Sequence, residues 1–213
     1  MKYILLVVIL LFGVFNLNAQ NNKSSLNISL ILSHYIPIKS NESQNGDAPY
    51  NVCPGIEFLY YYKLGPSCKL GTGFAYQYAN MISNAKASDK FTFGELSLPV
   101  LFTVMEKKNR LSVETGIYAG KFLHFGWYKM IHSQWVQVSS YDPRFGYKDK
   151  NTFADLYLAV SYAINTKDPR TALISPFIKY RIAENWMNLY RESIYYGFKF
   201  TINMNKLKRD EKN

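Results

Sequence analysis

The stretch Arg191-Glu192-Ser193-Ile194-Tyr195-Tyr196-Gly197-Phe198-Lys199-Phe200-Thr201-Ile202 decides how the chain is read. At period two, one set is Glu192, Ile194, Tyr196, Phe198, Phe200 and Ile202; the other is Arg191, Ser193, Tyr195, Gly197, Lys199 and Thr201. One face is almost wholly apolar and rich in aromatics, and the opposite face is small or charged. Strict alternation of this kind is the mark of a strand with two chemically distinct faces. At least six further segments repeat it, behind an N-terminus that reads as an export signal. Together these predict an all-β, eight-stranded, antiparallel up-and-down transmembrane barrel, apolar toward lipid and polar toward a lumen filled by side chains.

Working outward, the N-terminal stretch supports export. Lys2 supplies the charged region, Tyr3 to Phe15 the apolar run, and Leu17-Asn18-Ala19 a small residue for cleavage, so residues 1–19 are read as a signal peptide. Asn16 and Asn18 end the apolar run too early for a spanning helix. No window of about 20 apolar residues follows, so no transmembrane helix is expected in the mature chain. Residues 20–203 are assigned to the barrel and 204–213 to a charged periplasmic tail. The net charge of +10 is not taken as a nucleic-acid footprint, because an exported chain does not meet nucleic acid.

Eight strands follow from alternation and turn residues: Leu26–Ile36, Asn51–Lys63, Cys68–Ala79, Phe91–Met105, Leu111 to about Phe125, Thr152–Ile164, Thr171–Ala183 and the opening stretch. Only Ile31 breaks the first. Connections alternate long and short, as expected for external loops and periplasmic turns. The longest, Gly126–Lys150, is read as a loop, with Trp135–Val138 a candidate for extending a hairpin above the membrane. Tyr60, Tyr62, Phe198 and Phe200 are expected at the periplasmic rim, and Tyr76, Tyr78, Phe91, Trp127 and Tyr180 at the outer rim. The competing fold is a soluble β-sandwich or barrel, whose strands also alternate. Small residues on the polar face, such as Gly71, Gly73, Ala75, Gly116 and Ala159, instead suit a crowded interior.

The segment Gly94-Glu95-Leu96-Ser97-Leu98-Pro99-Val100-Leu101 resembles a strand of the outer-membrane β-barrel domain family common in Bacteroidota. Gly116-Ile117-Tyr118-Ala119-Gly120 is similar to that family's Gly-rich fifth strand. Asn151 to Asp155 with Leu156 to Tyr162 resembles its sixth, Lys179-Tyr180-Arg181 its seventh, and Gly197-Phe198-Lys199-Phe200 its closing strand. Ala154 stands where the family usually has Gly, and this chain runs on past the closing strand. The resemblance implies an outer-membrane location, contact with outer-membrane lipid and handling by the barrel-insertion machinery; the basic groups of the Gly126–Lys150 loop are expected to pair with lipopolysaccharide phosphates.

Functional expectations are narrower. Glu57, Glu95, Glu114 and Asp155 face inward with Lys69, Lys179, Arg181, Arg191 and Lys199. They are read as a structural ion-pair network, with Asp155 opposite Arg181, because buried charges persist mainly when paired. That argues against an open porin. The external loop, with Trp127, Tyr128, Trp135, Tyr141, Arg144, Phe145, Tyr147 and Lys148, is the candidate surface for an unknown ligand, since aromatics and Arg are common anchors. The role expected is structural or surface-interaction, not enzymatic. The alternative is a rim-sited enzyme acting on lipid A or peptide through His124 or His132. Two cysteines and three histidines match no metal motif, and no cofactor is indicated. Cys53 and Cys68 fall near opposite ends of one hairpin, too far apart for a disulfide. The mature protein is predicted to begin at Gln20; N-terminal sequencing of chain from the envelope fraction checks this, and retention of Met1 would refute it.

Overall fold

A computed structural model of the chain describes residues 24–37, 50–83, 89–106, 110–140, 152–164, 172–184 and 193–204. These form β1 (Ser24–Pro37), β2 (Tyr50–Lys63), β3 (Cys68–Ser83), β4 (Asp89–Met105), β5 (Leu111–Ile131), β6 (Gln134–Ser140), β7 (Thr152–Ala163), β8 (Ala172–Glu184) and β9 (Ser193–Asn203). The signal segment, Tyr141, Arg144, Phe145, Tyr147, Lys148, Arg191 and nearly all of the charged tail lie outside the described residues.

Every pairing is antiparallel, and β1 pairs with β9 from Asn27↔Asn203 to Pro37↔Ser193. That pairing closes eight strands into a barrel, in the circular order β1-β2-β3-β4-β5-β7-β8-β9. Closure leaves no sheet edge within the barrel, so its backbone N–H and C=O groups have partners across strands. The remaining strand, β6, pairs with β5 and continues its upper half as a hairpin.

Alternation decides which way each side chain points. On β4, Leu96, Leu98, Val100, Phe102 and Val104 are exposed, whereas Glu95, Ser97, Pro99, Leu101 and Thr103 are buried. The same division holds round the barrel, with Leu30 at 60% and Phe198 at 59% exposure while Glu57 and Ser29 have none. Large exposed apolar surface around a buried polar interior inverts the pattern of a soluble fold. The outward positions Leu26 to Leu32, Val52 to Tyr62, Leu70 to Tyr78, Leu96 to Val104 and Val113 to Ala119 carry no charged residue. Thr115, a polar member of that band, turns its hydroxyl back to donate to the Tyr157 carbonyl at 3.1 Å. Ile31, the one break in the first strand's alternation, points inward and joins the buried cluster with Tyr35 and Tyr195.

The two ends differ. At one end the connections are tight: Leu64 N–H donates to the Cys68 carbonyl at 3.0 Å, and Glu106 N–H to that of Leu111 at 2.9 Å. At the other end, strands run past the barrel. β5 has 21 residues and does not stop near Phe125. The expected loop from Gly126 is therefore strand through Ser140, hinged on a two-residue turn at His132 (φ 48°) and Ser133 (φ 63°). Positive φ at both central residues is the geometry that matches strand twist in a tight hairpin. Phe198, expected at the periplasmic rim, lies mid-strand beside Leu32 and Pro176. Cys53 and Cys68 are free thiols, Cys53 beside Ser33 in β1 and Cys68 beside Val104 in β4.

Strands β4 and β5 approach so closely at Gly116 that an added Cβ would meet the Val100 carbonyl oxygen and the Leu101 backbone. Gly116→Val is therefore expected to lower stability by about 1–3 kcal/mol, the usual cost of overpacking. The check is the temperature at which the folded band disappears on SDS gels, and a wild-type value would refute the close approach.

Candidate functional site

Because β8 and β9 alternate in phase with β4, β5 and β7, their charged residues converge in the lumen. Among the described residues, Glu57, Glu95, Glu114 and Asp155 are buried there with Lys179, Arg181 and Lys199. They form two tiers. In the upper one, Arg181 sits opposite Asp155 in the β7–β8 register. Its Nε and Nη2 donate to the two Asp155 oxygens at 2.7 and 3.2 Å, and its Nη1 to Glu95 Oε1 at 2.8 Å. Such forked, charge-assisted bonds fix geometry as well as energy. Tyr195 donates to the same Glu95 oxygen at 2.6 Å, and the Phe153 ring lies 4.2 Å from the guanidinium carbon. Lys179 reaches the far wall, donating to Gln77 Oε1 at 2.9 Å, with its ammonium over the Tyr118 ring at 4.5 Å. Gln77 in turn donates to Ser33 Oγ.

The lower tier centres on Lys199. Its Nζ lies 2.6 Å from Glu114 and 3.2 Å from Glu57. Tyr118 donates to Glu57, and Tyr61 to Glu114. Thr103 adds a bond to Glu114 at 3.2 Å. The Tyr61 ring crosses directly over Gly71, where a Cβ would meet it. Below this tier, hydroxyl pairs Ser29–Thr201 (2.9 Å) and Ser175–Ser161 (2.7 Å) line the wall. They open into a small polar cup at the tight-turn end, edged by Asn27, Lys69 and Ser112. Above the upper tier, Tyr35, Phe93, Phe122 and Phe153 pack in sequence, with ring centroids 5.9, 5.7 and 5.2 Å apart. The lumen is thus filled from an aromatic cap through two ionic tiers.

The tyrosines and Gln77 that complete these tiers are not singled out by sequence, although their inward phase was visible there. Lys69 lines the cup together with Glu114 and Lys199 of the lower tier.

A second assembly stands on the outer face of the long-loop end. Tyr128 is level with Lys90 on β4 and Gln137 on β6, and Trp135 with Met130. The Lys90 ammonium lies 5.7 Å from the Tyr128 ring centroid and 5.9 Å from that of Trp135. His124 stacks on Tyr78 at 5.7 Å. Trp127 is placed on β5 beside Phe91. The histidines do not converge: His34 is on β1, stacked on Tyr196, while His124 is on β5, across the barrel, and His132 is at the hairpin tip. No group of three or more His, Cys, Asp or Glu among the described residues could hold a metal ion.

This architecture has solved counterparts. The fold is similar to that of Neisserial surface protein A. The two share 11% identity over 85% of this chain and 99% of that one, with a TM-score of 0.54. Ail, the attachment invasion locus protein of Yersinia pestis, crystallised with the heparin analogue sucrose octasulfate, matches at 13% identity. That match covers 85% of this chain and 97% of Ail, with a TM-score of 0.46. The N-terminal β-barrel domain of Pseudomonas aeruginosa OprF matches at 10%, covering 86% and 100%, with a TM-score of 0.41. No protein-family model and no curated protein matches the chain. At these identities the likeness extends to the fold, which is that of outer-membrane barrels.

Arg181→Met would leave Glu95 and Asp155 buried without their cation. The expected loss is about 3–5 kcal/mol, as for breaking one side of a buried pair. The double change Asp155→Asn, Arg181→Gln should recover part of it, because the remaining Glu95 and Lys179 balance in charge. Urea unfolding in detergent micelles measures both; an Arg181→Met variant as stable as wild type would refute the tier.

Proposed function

We propose that this chain is an exported, non-enzymatic outer-membrane barrel with a structural or surface-interaction role, closed to solute flow. The observation that carries the reading is the pairing of an uncharged apolar band outside with a lumen blocked by crossed side chains inside. A charge in the lipid-facing band costs a few kcal/mol at mid-depth, and the band carries none in the spans described above. An eight-stranded barrel leaves room only for side chains, and here Arg181, Lys179 and Lys199 each reach groups on distant strands.

On this reading the chain is cleaved after Ala19, residues 20–203 form the barrel, and the tail of 204–213 lies in the periplasm. The tight-turn end faces the periplasm and the hairpin end faces outward. Outer-membrane lipid surrounds the band, and the barrel-insertion machinery assembles it. The resemblance of the β4 stretch Gly94–Leu101 supports an origin in Bacteroidota. Charged and hydrogen-bonded tiers act as structural braces. The partner-facing surface is the external segment with Trp127, Tyr128, Trp135, Tyr141, Arg144, Tyr147 and Lys148.

Two measurements on the full chain test this. In expressing cells the protein should fractionate with the outer membrane and migrate differently on SDS gels before and after boiling. Reconstituted in a planar bilayer, it should add no stable ion conductance to that of the bare membrane. A soluble periplasmic protein would defeat the location, and steady open-channel steps would defeat the closed lumen.

A further inference from the structure

We propose that the outward wall formed by β3, β4, β5 and β6 is a binding site for the phosphorylated sugar headgroup of an outer-leaflet glycolipid. The inference rests on the outer-membrane reading and specifies a partner for one wall of the barrel.

Register assigns the wall. Outward positions climb from Tyr76 and Tyr78 on β3, through Leu96, Gly94, Thr92 and Lys90 on β4, to Lys121, His124, Gly126 and Tyr128 on β5, and Trp135 and Gln137 on β6. Among the described residues, none of the outward positions in this region is Asp or Glu; Glu95 points into the lumen, and Asp89 shares its phase with Lys129. Two lysines therefore face outward with no carboxylate among the described residues on the same face. Lys121 pairs with Leu96 at the top of the apolar band. Lys90 stands six residues further along β4, held over Tyr128 and Trp135.

Height selects the ligand class. Six residues of strand span about 20 Å, or roughly 15 Å along the membrane normal at the usual strand tilt of about 40°. The headgroup layer of an ordinary bilayer leaflet is only about 5–8 Å deep. A glycerophospholipid that meets Lys121 cannot also reach Lys90, whereas a saccharide headgroup can. Rings are available at both levels, His124 stacked on Tyr78 below and Tyr128 with Trp135 above. They offer flat, amphipathic faces of the kind that settle at a membrane interface. Continuity with Leu96, Leu98 and Val100 places the acyl chains directly beneath and commits the site to a membrane-anchored ligand over a soluble polyanion.

The test uses the full chain in phosphatidylcholine nanodiscs. The probes are a diphosphorylated lipopolysaccharide, its dephosphorylated form, phosphatidylglycerol and soluble heparin. Lipid retained per protein is measured by native mass spectrometry. Wild type should retain the diphosphorylated lipopolysaccharide. Dephosphorylation, or the double change Lys90→Gln and Lys121→Gln, should weaken retention on the order of thirtyfold, as expected for two lysines at an anionic surface. Trp135→Ala should weaken it too, and Lys63→Gln at the opposite end should not. Phosphatidylglycerol binding should be indifferent to Lys90→Gln alone. Equal retention of the phosphorylated and dephosphorylated forms overturns the site, using wild type alone. So does displacement by heparin at matched charge, or a Lys90 effect on phosphatidylglycerol equal to that on lipopolysaccharide. Failure of the wild-type chain to enter nanodiscs in heat-modifiable form would instead overturn the outer-membrane reading beneath it.

Discussion

The constraint on which the structure depends is the pairing of β1 with β9. A sheet with an apolar outer surface cannot leave a row of amide and carbonyl groups unpaired against hydrocarbon. Closure after eight strands meets that requirement, and it also sets the lumen width. A lumen that narrow has no space for a water column beside its side chains. The charged groups pointing inward then find their partners among the other inward side chains. The two ionic tiers, the tyrosine hydroxyls bonded to carboxylates and the aromatic cap follow from that one geometric limit.

Much of this was legible from period two alone. The outward and inward faces of β2, β3, β4 and β7 can be written down from the sequence, because every strand crosses one environment boundary on each side. Asp155 opposite Arg181 was also within reach, since adjacent strands joined by a short connection have little freedom in register. Glu95 with Tyr195, and Lys179 with Gln77, were not. Those contacts cross the lumen between strands that are not neighbours, so they depend on tilt and stagger of the whole barrel. No local pattern encodes that quantity.

The extent of the hairpin was obscured for a different reason, although Trp135–Val138 already stood as a candidate for one. The β4–β5 register shifts next to Glu95, and that of β5–β6 next to Tyr128. Each extra residue reverses the phase of everything beyond it, so a strand of 21 residues reads as an ordinary strand followed by noise. Its turn added no signal, because His132 and Ser133 occupy positions where Asn and Gly are the usual markers. The extra residue Leu123 re-aims His124 and Tyr128 onto the outward wall, so the irregularity that blurred the hairpin also assembles its aromatic surface.

Lys199 is carried by the final strand, yet it is the cation shared by Glu57 on β2 and Glu114 on β5. Until β9 docks, those two carboxylates face an open trough without Lys199, and Glu95 likewise waits for Arg181 on β8. A half-built sheet therefore cannot be sealed against lipid without stranding charge. Assembly must keep the trough wet until the last strand arrives, and the chain's final segment becomes the latch that makes completion all-or-none. Contacts so distant in sequence also favour slow closure, which lengthens the interval during which the incomplete sheet needs protection.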